Sequence, residues 1–324
     1  MKLKNLLSTL LLFSLLLAAC GAPVAELPAP EVDVAEAPVA PEVAENAFPL
    51  TVTDGMGREI TLETPAQQIV SLAPSNTELL FALGAGSQLV GRDMYSDYPA
   101  EAANVADIGD TYGSLNTEFI TSLEPDLVLA AGTTPPEQVT ALETLGITVY
   151  WLGDPSDFEG LYQNIYTVGQ LTGRDQEAND LVADLQDRIA DVDDALAGRT
   201  ETPAVFYELD ASDPAAPWSA GEGTFIDMII TRAGGENIVA DLGMYPQVSI
   251  EELLVRNPDL IVLGDSNFGV TAESVAARAG WGTLAAVQNG EVHPFDDNLI
   301  SRPGPRLVEA LEQLARLLHP DRFN

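Results

Sequence analysis

The sequence predicts an α/β protein built as two lobes, each on a mostly parallel sheet, joined by one long α-helix. Three observations carry this. Short apolar runs alternate with helical patterns between residues 69 and 152, and again between 204 and 318. Such strand–helix–strand alternation yields parallel sheets covered by helices. Between the two runs lies one amphipathic stretch long enough to cross from lobe to lobe. Finally, a motif in the first run recurs in the second at a fixed offset.

The elements follow in order. Leu50 to Leu62 reads as a β-hairpin with Asp54-Gly55 near its turn. Ile69 to Ala73 is a short buried strand. Ser75-Asn76-Thr77-Glu78 fits an S/T-x-x-E capping box, opening a helix that stops at Gly84. Leu127–Ala131 and Thr148–Leu152 read as strands flanking a helix over Glu137–Leu145. Phe158 to Leu171 is a helix ended by Gly173. In the next segment Ala178, Leu181, Val182, Leu185, Ile189, Val192 and Leu196 recur at steps of three and four, one face of a helix. From Arg174 to Ala197 that helix spans roughly 36 Å. The second run holds strands at Ala204–Leu209, Leu260–Leu263 and Glu291–Phe295, with helices at Thr224–Ala233 and from about Arg306 to Leu318.

The repeat has an offset of 133 positions. Leu123-Glu124-Pro125-Asp126-Leu127 answers to Arg256-Asn257-Pro258-Asp259-Leu260. Glu118 and Glu251 each lie seven residues before the proline, and Tyr112 and Tyr245 six before the glutamate. A shared helix-Pro-Asp-strand turn explains Pro-Asp-Leu, because Pro and Asp both suit a turn. It leaves the matched tyrosine and glutamate unexplained, so a pseudo-duplication of lobes is expected.

Composition removes several functions. The chain has 324 residues and a net charge of −36, from 14 basic and 50 acidic residues. Its only lysines are Lys2 and Lys4. A surface this acidic repels nucleic acid phosphates. No Gly-Lys pair exists for a P-loop. One cysteine excludes disulfide frameworks, cysteine-based zinc sites and iron–sulfur clusters. Two histidines are too few for a His-rich metal site. His293 is expected as a satisfied core histidine in a buried strand and His319 as exposed.

Lys2 and Lys4 precede an apolar run from Leu6 to Leu17, shorter than the roughly 20 residues of a spanning helix. Leu17-Ala18-Ala19-Cys20-Gly21 then resembles a bacterial lipobox, which implies cleavage before Cys20 and acylation of that cysteine. Residues 1–19 are read as the lipoprotein signal peptide. Residues 20–47, rich in Ala, Pro, Val and Glu, are read as an extended tether. The body divides into an N-terminal lobe (48–157), connecting helices (158–199) and a C-terminal lobe (200–324).

From Phe48 to Leu318 the chain resembles substrate-binding proteins of bacterial ABC importers for iron–siderophores, haem and cobalamin, and most of all its cobalamin-binding members. Six landmarks carry the likeness in order: Ser71-Leu72-Ala73-Pro74-Ser75-Asn76-Thr77-Glu78, Tyr95-Ser96-Asp97-Tyr98-Pro99, Pro125-Asp126-Leu127-Val128, Gly234-Gly235-Glu236-Asn237-Ile238, Pro246-Gln247-Val248-Ser249 and Arg302-Pro303-Gly304-Pro305-Arg306. The resemblance implies two Rossmann-like lobes joined by one long helix, with the ligand held between them and only modest closure.

It also implies roles. Glu118 and Glu251 would each mark the outer face of one lobe and meet arginines of a permease dimer served by a cytoplasmic ATPase. Two carboxylates at fixed spacing give a two-point dock. Tyr95, Tyr98, Tyr112, Trp218 and Tyr245 would wall the cleft; flat rings with a polar tip suit a large, partly apolar ligand. Tyr112 and Tyr245 stand where cobalamin binders carry tryptophan. Arg302 would face the ligand, Arg306 would pair with a nearby acid, and Asp297 and Asn298 would be polar neighbours. Glu78 is assigned to capping alone.

The expected function is therefore an extracytoplasmic, lipid-anchored, monomeric binding protein without intrinsic cofactor or enzymatic activity. A corrinoid is the favoured ligand. Siderophore binders set several arginines against acidic chelates, and few stand in cleft positions here. A ferric siderophore is the alternative, then haem, for which Tyr112 or Tyr245 could be the axial ligand. A carboxylate-dependent glycosidase is a remote second class. A receptor presenting ligand to a sensor protein is a third.

Overall fold

The structure, a computed structural model, describes residues 48–323. The signal peptide, Cys20 and the tether lie outside the described residues.

An antiparallel hairpin opens the body, β1 (Leu50–Thr53) paired with β2 (Glu59–Leu62). Asp54 closes it by accepting from the Met56 and Arg58 amides and pairing with the Arg58 guanidinium. Five parallel strands follow: β3 (Ile69–Ser71), β4 (Leu89–Arg92), β5 (Ala106–Asp107), β6 (Leu127–Ala130) and β7 (Val149–Trp151), in the order β5-β4-β3-β6-β7. Helices α1 (Pro74–Ala82), α2 (Thr117–Ser122) and α3 (Pro136–Thr144) connect them. Gly91 within β4 and the two-residue length of β5 hid these strands from periodicity. Gly91 is needed there, since a Cβ would lie 2.7 Å from Leu123.

The capping box fails as a reading of the start of α1. Ala73 is the N-cap residue, with no side-chain bond, and Pro74 opens the helix. Proline favours the first helical position, where its missing N–H costs nothing, so the helix begins before Ser75 can cap it.

Helix α4 (Phe158–Thr172) ends at Gly173 in the left-handed conformation, φ 69°. Helix α5 (Asp175–Leu196) then buries Ala178, Val182, Leu185, Ile189, Val192 and Leu196 along one face. That face packs on α4 and on the C-terminal helix Leu307–Leu318. Arg188 grips Glu312 through two hydrogen bonds, 2.8 and 2.9 Å, fixing α5 to that helix.

The second sheet is also wholly parallel. Strands β8 (Ala204–Glu208), β9 (Glu236–Asn237), β10 (Leu260–Leu263) and β11 (Val292–Pro294) lie in the order β11-β10-β8-β9. Helices α6 (Phe225–Arg232) and α7 (Ile250–Arg256) flank it. Thus the α/β architecture of two parallel-sheet lobes with a long connecting helix is what the chain adopts. His319 corrects an expectation. It is 5% exposed, with Nε2 3.3 Å from the Gly234 carbonyl, because the Leu318 turn folds it back under the sheet edge. His293 also departs from the expected core position: it lies only half-buried in β11, paired with Glu291 at the strand's solvent side.

The 133-residue repeat is structural. Asp126 accepts from the Gln67 and Gln68 amides, and Asp259 from the Ala204 amide, so each ties its strand to the neighbouring strand. The preceding residues Glu124 (φ 50°) and Asn257 (φ 43°) are the only non-glycine residues with positive φ among those described.

Candidate functional site

In open parallel sheets, ligands bind beyond the carboxyl ends of the strands where strand order reverses. Here the reversals fall at β3/β6 and at β8/β10. A cavity of about 420 Å³ lies there, between the lobes. Its N-lobe wall comes from segments just after strands: Ala73-Pro74-Ser75 after β3, Tyr95 after β4, Thr133 after β6 and Asp154 after β7. Its C-lobe wall comes from Phe268 after β10 and from Asp297 and Ser301-Arg302-Pro303 after β11.

Tyr95 and Tyr112 meet edge to face in this cavity, ring centres 5.5 Å apart. Burial raises the Tyr112 pKa, keeping its phenol neutral. Tyr245 comes from the C-lobe and is half-exposed but is not among the residues lining this cavity; burial and then the charge of Asp154 raise its pKa. Trp218 forms a backbone bridge with Gln247, on the same C-lobe platform, and is half-exposed. Tyr98 is separate. It lines a neighbouring cavity with Glu78, Phe81 and Pro305, and lies under the Arg306 guanidinium at 4.0 Å.

Arg302 lines the cavity but is held from behind. It donates to Glu78 (2.9 Å), Asp97 (2.7 Å) and the Tyr95 carbonyl (3.4 Å). Burial opposes its charge, yet the bonds to Asp97 and Glu78 prevail and raise its pKa. Arg306 reaches the same Glu78 with two bonds, 2.7 and 2.6 Å. Glu78 is 4% exposed. Its role is thus a buried joint between an N-lobe helix and two C-lobe arginines, which assignment to capping missed. The missed signal was the pair of arginines four residues apart in one Pro/Gly loop.

Asp297 also lines the cavity. Burial raises its pKa against the bonds from Ser301 and Tyr207, whose hydroxyl donates at 2.9 Å. Asn298 instead hydrogen-bonds Asp296. Phe268, 86% exposed, and Asp154 were missed by sequence reasoning. Both sit just past strand ends, where only the sheet topology marks them.

Glu118 and Glu251 lie outside the cavity. Each is exposed in the first turn of a capped helix, Asn116 capping α2 and Ser249 capping α7. Neither carboxylate bonds to another described residue. Ile120 pins α2 to the N-lobe core and Leu253 pins α7 to the C-lobe core, so the two glutamates stand on different lobes.

The periplasmic binding protein family model matches residues 69–299. An uncharacterized ABC transporter substrate-binding lipoprotein of Bacillus subtilis, YvrC, is 34% identical over 98% of this chain and 97% of that protein. The crystal structure of the periplasmic vitamin B12 binding protein BtuF of Vibrio cholerae superposes with a TM-score of 0.68 at 30% identity, covering 80% of this chain and 99% of that one. The apo periplasmic heme-binding protein RhuT from Roseiflexus superposes with 0.71 at 29% identity, covering 79% and 99%. With its parallel sheets, joining helix and inter-lobe cavity, the chain belongs to the periplasmic binding protein family.

Proposed function

We propose that the protein captures a corrinoid in the inter-lobe cleft and delivers it to an ABC importer by docking through Glu118 and Glu251. The coarse part follows from the family: a substrate-binding protein of an ABC transporter, acting outside the cytoplasm on a B12-, haem- or siderophore-type ligand. The observation that favours a corrinoid is the cleft itself. Tyr95, Tyr112 and Phe268 offer aromatic surface to a broad, partly apolar disc, and the one arginine lining the cavity, Arg302, is engaged by Glu78 and Asp97. The docking role rests on two exposed carboxylates at equivalent repeat positions on separate lobes. Attachment of acylated Cys20 to the membrane completes the reading.

Titration of the purified protein with cyanocobalamin, haemin and ferric siderophores, followed by isothermal calorimetry, tests the ligand. Cyanocobalamin should bind at micromolar concentration or below, about −8 kcal/mol or stronger. If only ferric siderophores bind, the corrinoid assignment falls and the family assignment stands. The Glu118→Ala/Glu251→Ala double variant should retain cyanocobalamin affinity and lose corrinoid uptake in cells by at least about tenfold. Unchanged uptake would remove the docking role.

A further inference from the structure

Three charged side chains line the inter-lobe cavity: Arg302, Asp297 and Asp154. Two are already committed. Arg302 is held by Glu78, Asp97 and the Tyr95 carbonyl. Asp297 accepts from the Tyr207 and Ser301 hydroxyls. Asp154 differs. Its carboxylate makes no hydrogen bond or ion pair with any described residue. It rests on the bare backbone of Gly132, where a Cβ would approach within 2.6 Å of it. The side chain is exposed in the cavity, and the surrounding wall shifts its pKa upward with no compensating bond.

No arginine forms an ion pair with it among the described residues. No lysine exists beyond Lys4. Among the other arginines, Arg58 pairs with Asp54, Arg256 with Asp241, Arg278 with Glu208 and Arg306 with Glu78. A ligand that fills the cavity strips water from this exposed carboxylate, which is costly unless the ligand itself supplies a donor. A ligand that presents an amide N–H or a positive group at this wall supplies one. A ligand that presents a carboxylate or phenolate there meets like charge at short range, which costs several kcal/mol.

We propose that Asp154 is a specificity-determining residue of the cleft, accepting a hydrogen bond from an amide or cationic group of the ligand and rejecting ligands that place an anionic group there. This rests on the inter-lobe cleft being the ligand site. It extends the corrinoid reading, because a corrin ring carries a rim of amide side chains, whereas haem carries propionates and ferric catecholates carry net negative charge.

The test compares chemical twins. Cyanocobalamin and its separate monocarboxylic acids differ only by one rim amide turned into a carboxylate. With the full-length protein in detergent, at least one monocarboxylic acid should bind about tenfold or more weakly than the parent. Asp154→Asn keeps the shape but removes the charge, so it should narrow that discrimination to about threefold or less, whatever its affinity for the parent. Equal binding of every acid to wild type, or discrimination unchanged in Asp154→Asn, overturns the proposal. If no corrinoid binds either protein, the corrinoid reading fails separately, and ferrioxamine B, a cationic chelate, is compared with ferric enterobactin, an anionic one. Preference for the cation, weakened in Asp154→Asn, upholds the role of Asp154; preference for the anion overturns it. Thermal unfolding of both proteins confirms that each is folded.

Discussion

Asp265 is a residue whose protonation is coupled to the fold. It follows β10 and lies beside Glu208 at the end of β8, while Arg278 pairs with Glu208 and covers Trp281 at 4.6 Å. Burial, and then the charge of Glu208, lift the Asp265 pKa to about 7. One of its oxygens has no hydrogen-bond partner among the described residues. A carboxyl with a raised pKa holds its proton more tightly folded than unfolded. Its stabilising contribution is full below the unfolded value of 3.8 and disappears as pH climbs through about 7. Asp265→Asn should therefore raise Tm more at about pH 8 than at about pH 5, by roughly 2–4 °C for each kcal/mol gained. Equal shifts at both values would show that the carboxyl titrates normally. At this scale the sequence was partly legible. Tyr95, Tyr112 and Arg302 do line the cavity, and the likeness of their loops to a family made them visible. Asp154 and Asp265 were not visible, because what distinguishes them, an unpartnered carboxylate in the cavity and a carboxyl packed beside Glu208, only packing reveals.

Among the elements, the two helix-to-strand turns offer a matched comparison. Glu124 and Asn257 both adopt left-handed backbone after α2 and α7. That conformation costs a side chain about 1–2 kcal/mol, less for asparagine, whereas glycine costs roughly 0.5–1 kcal/mol in chain entropy. Glu124→Gly should thus stabilise the protein by up to about 1 kcal/mol. Asn257 also accepts the Ala285 amide at 2.9 Å. Losing that bond costs about 0.5–1.5 kcal/mol, so Asn257→Gly should destabilise. Urea denaturation would expose the opposite signs; two shifts in the same direction would contradict this account. Long periodic elements such as α5 were readable from spacing to within a residue at each end. Strands β5 and β9, two residues each, were not, since their register is imposed by neighbours rather than by any pattern of their own.

The whole molecule is held together by α5 and by the Glu78 joint. One apolar cluster runs from α1 through α4 and α5 into α6 and the C-terminal helix, so the lobes share a core on one side. On the other, Glu78 with Arg302 and Arg306 is a buried ionic contact. Removing one partner from such a contact leaves uncompensated charge, at about 3–5 kcal/mol. Glu78→Gln should lower the free energy of unfolding by about 3 kcal/mol; a change below about 0.5 kcal/mol would mean that water already serves those arginines. The repeat announced two lobes at the sequence level, yet no periodicity could show that a glutamate of one would be seized by the other.

The aspartates of the duplicated turns carry a wider consequence. Asp126 and Asp259 each clasp the backbone of an adjoining strand, one in each half. A single chain therefore contains the same clasp twice, in different surroundings. Replacing first one and then its counterpart would separate what the motif contributes by itself from what its neighbourhood adds, with the untouched half serving as an internal reference.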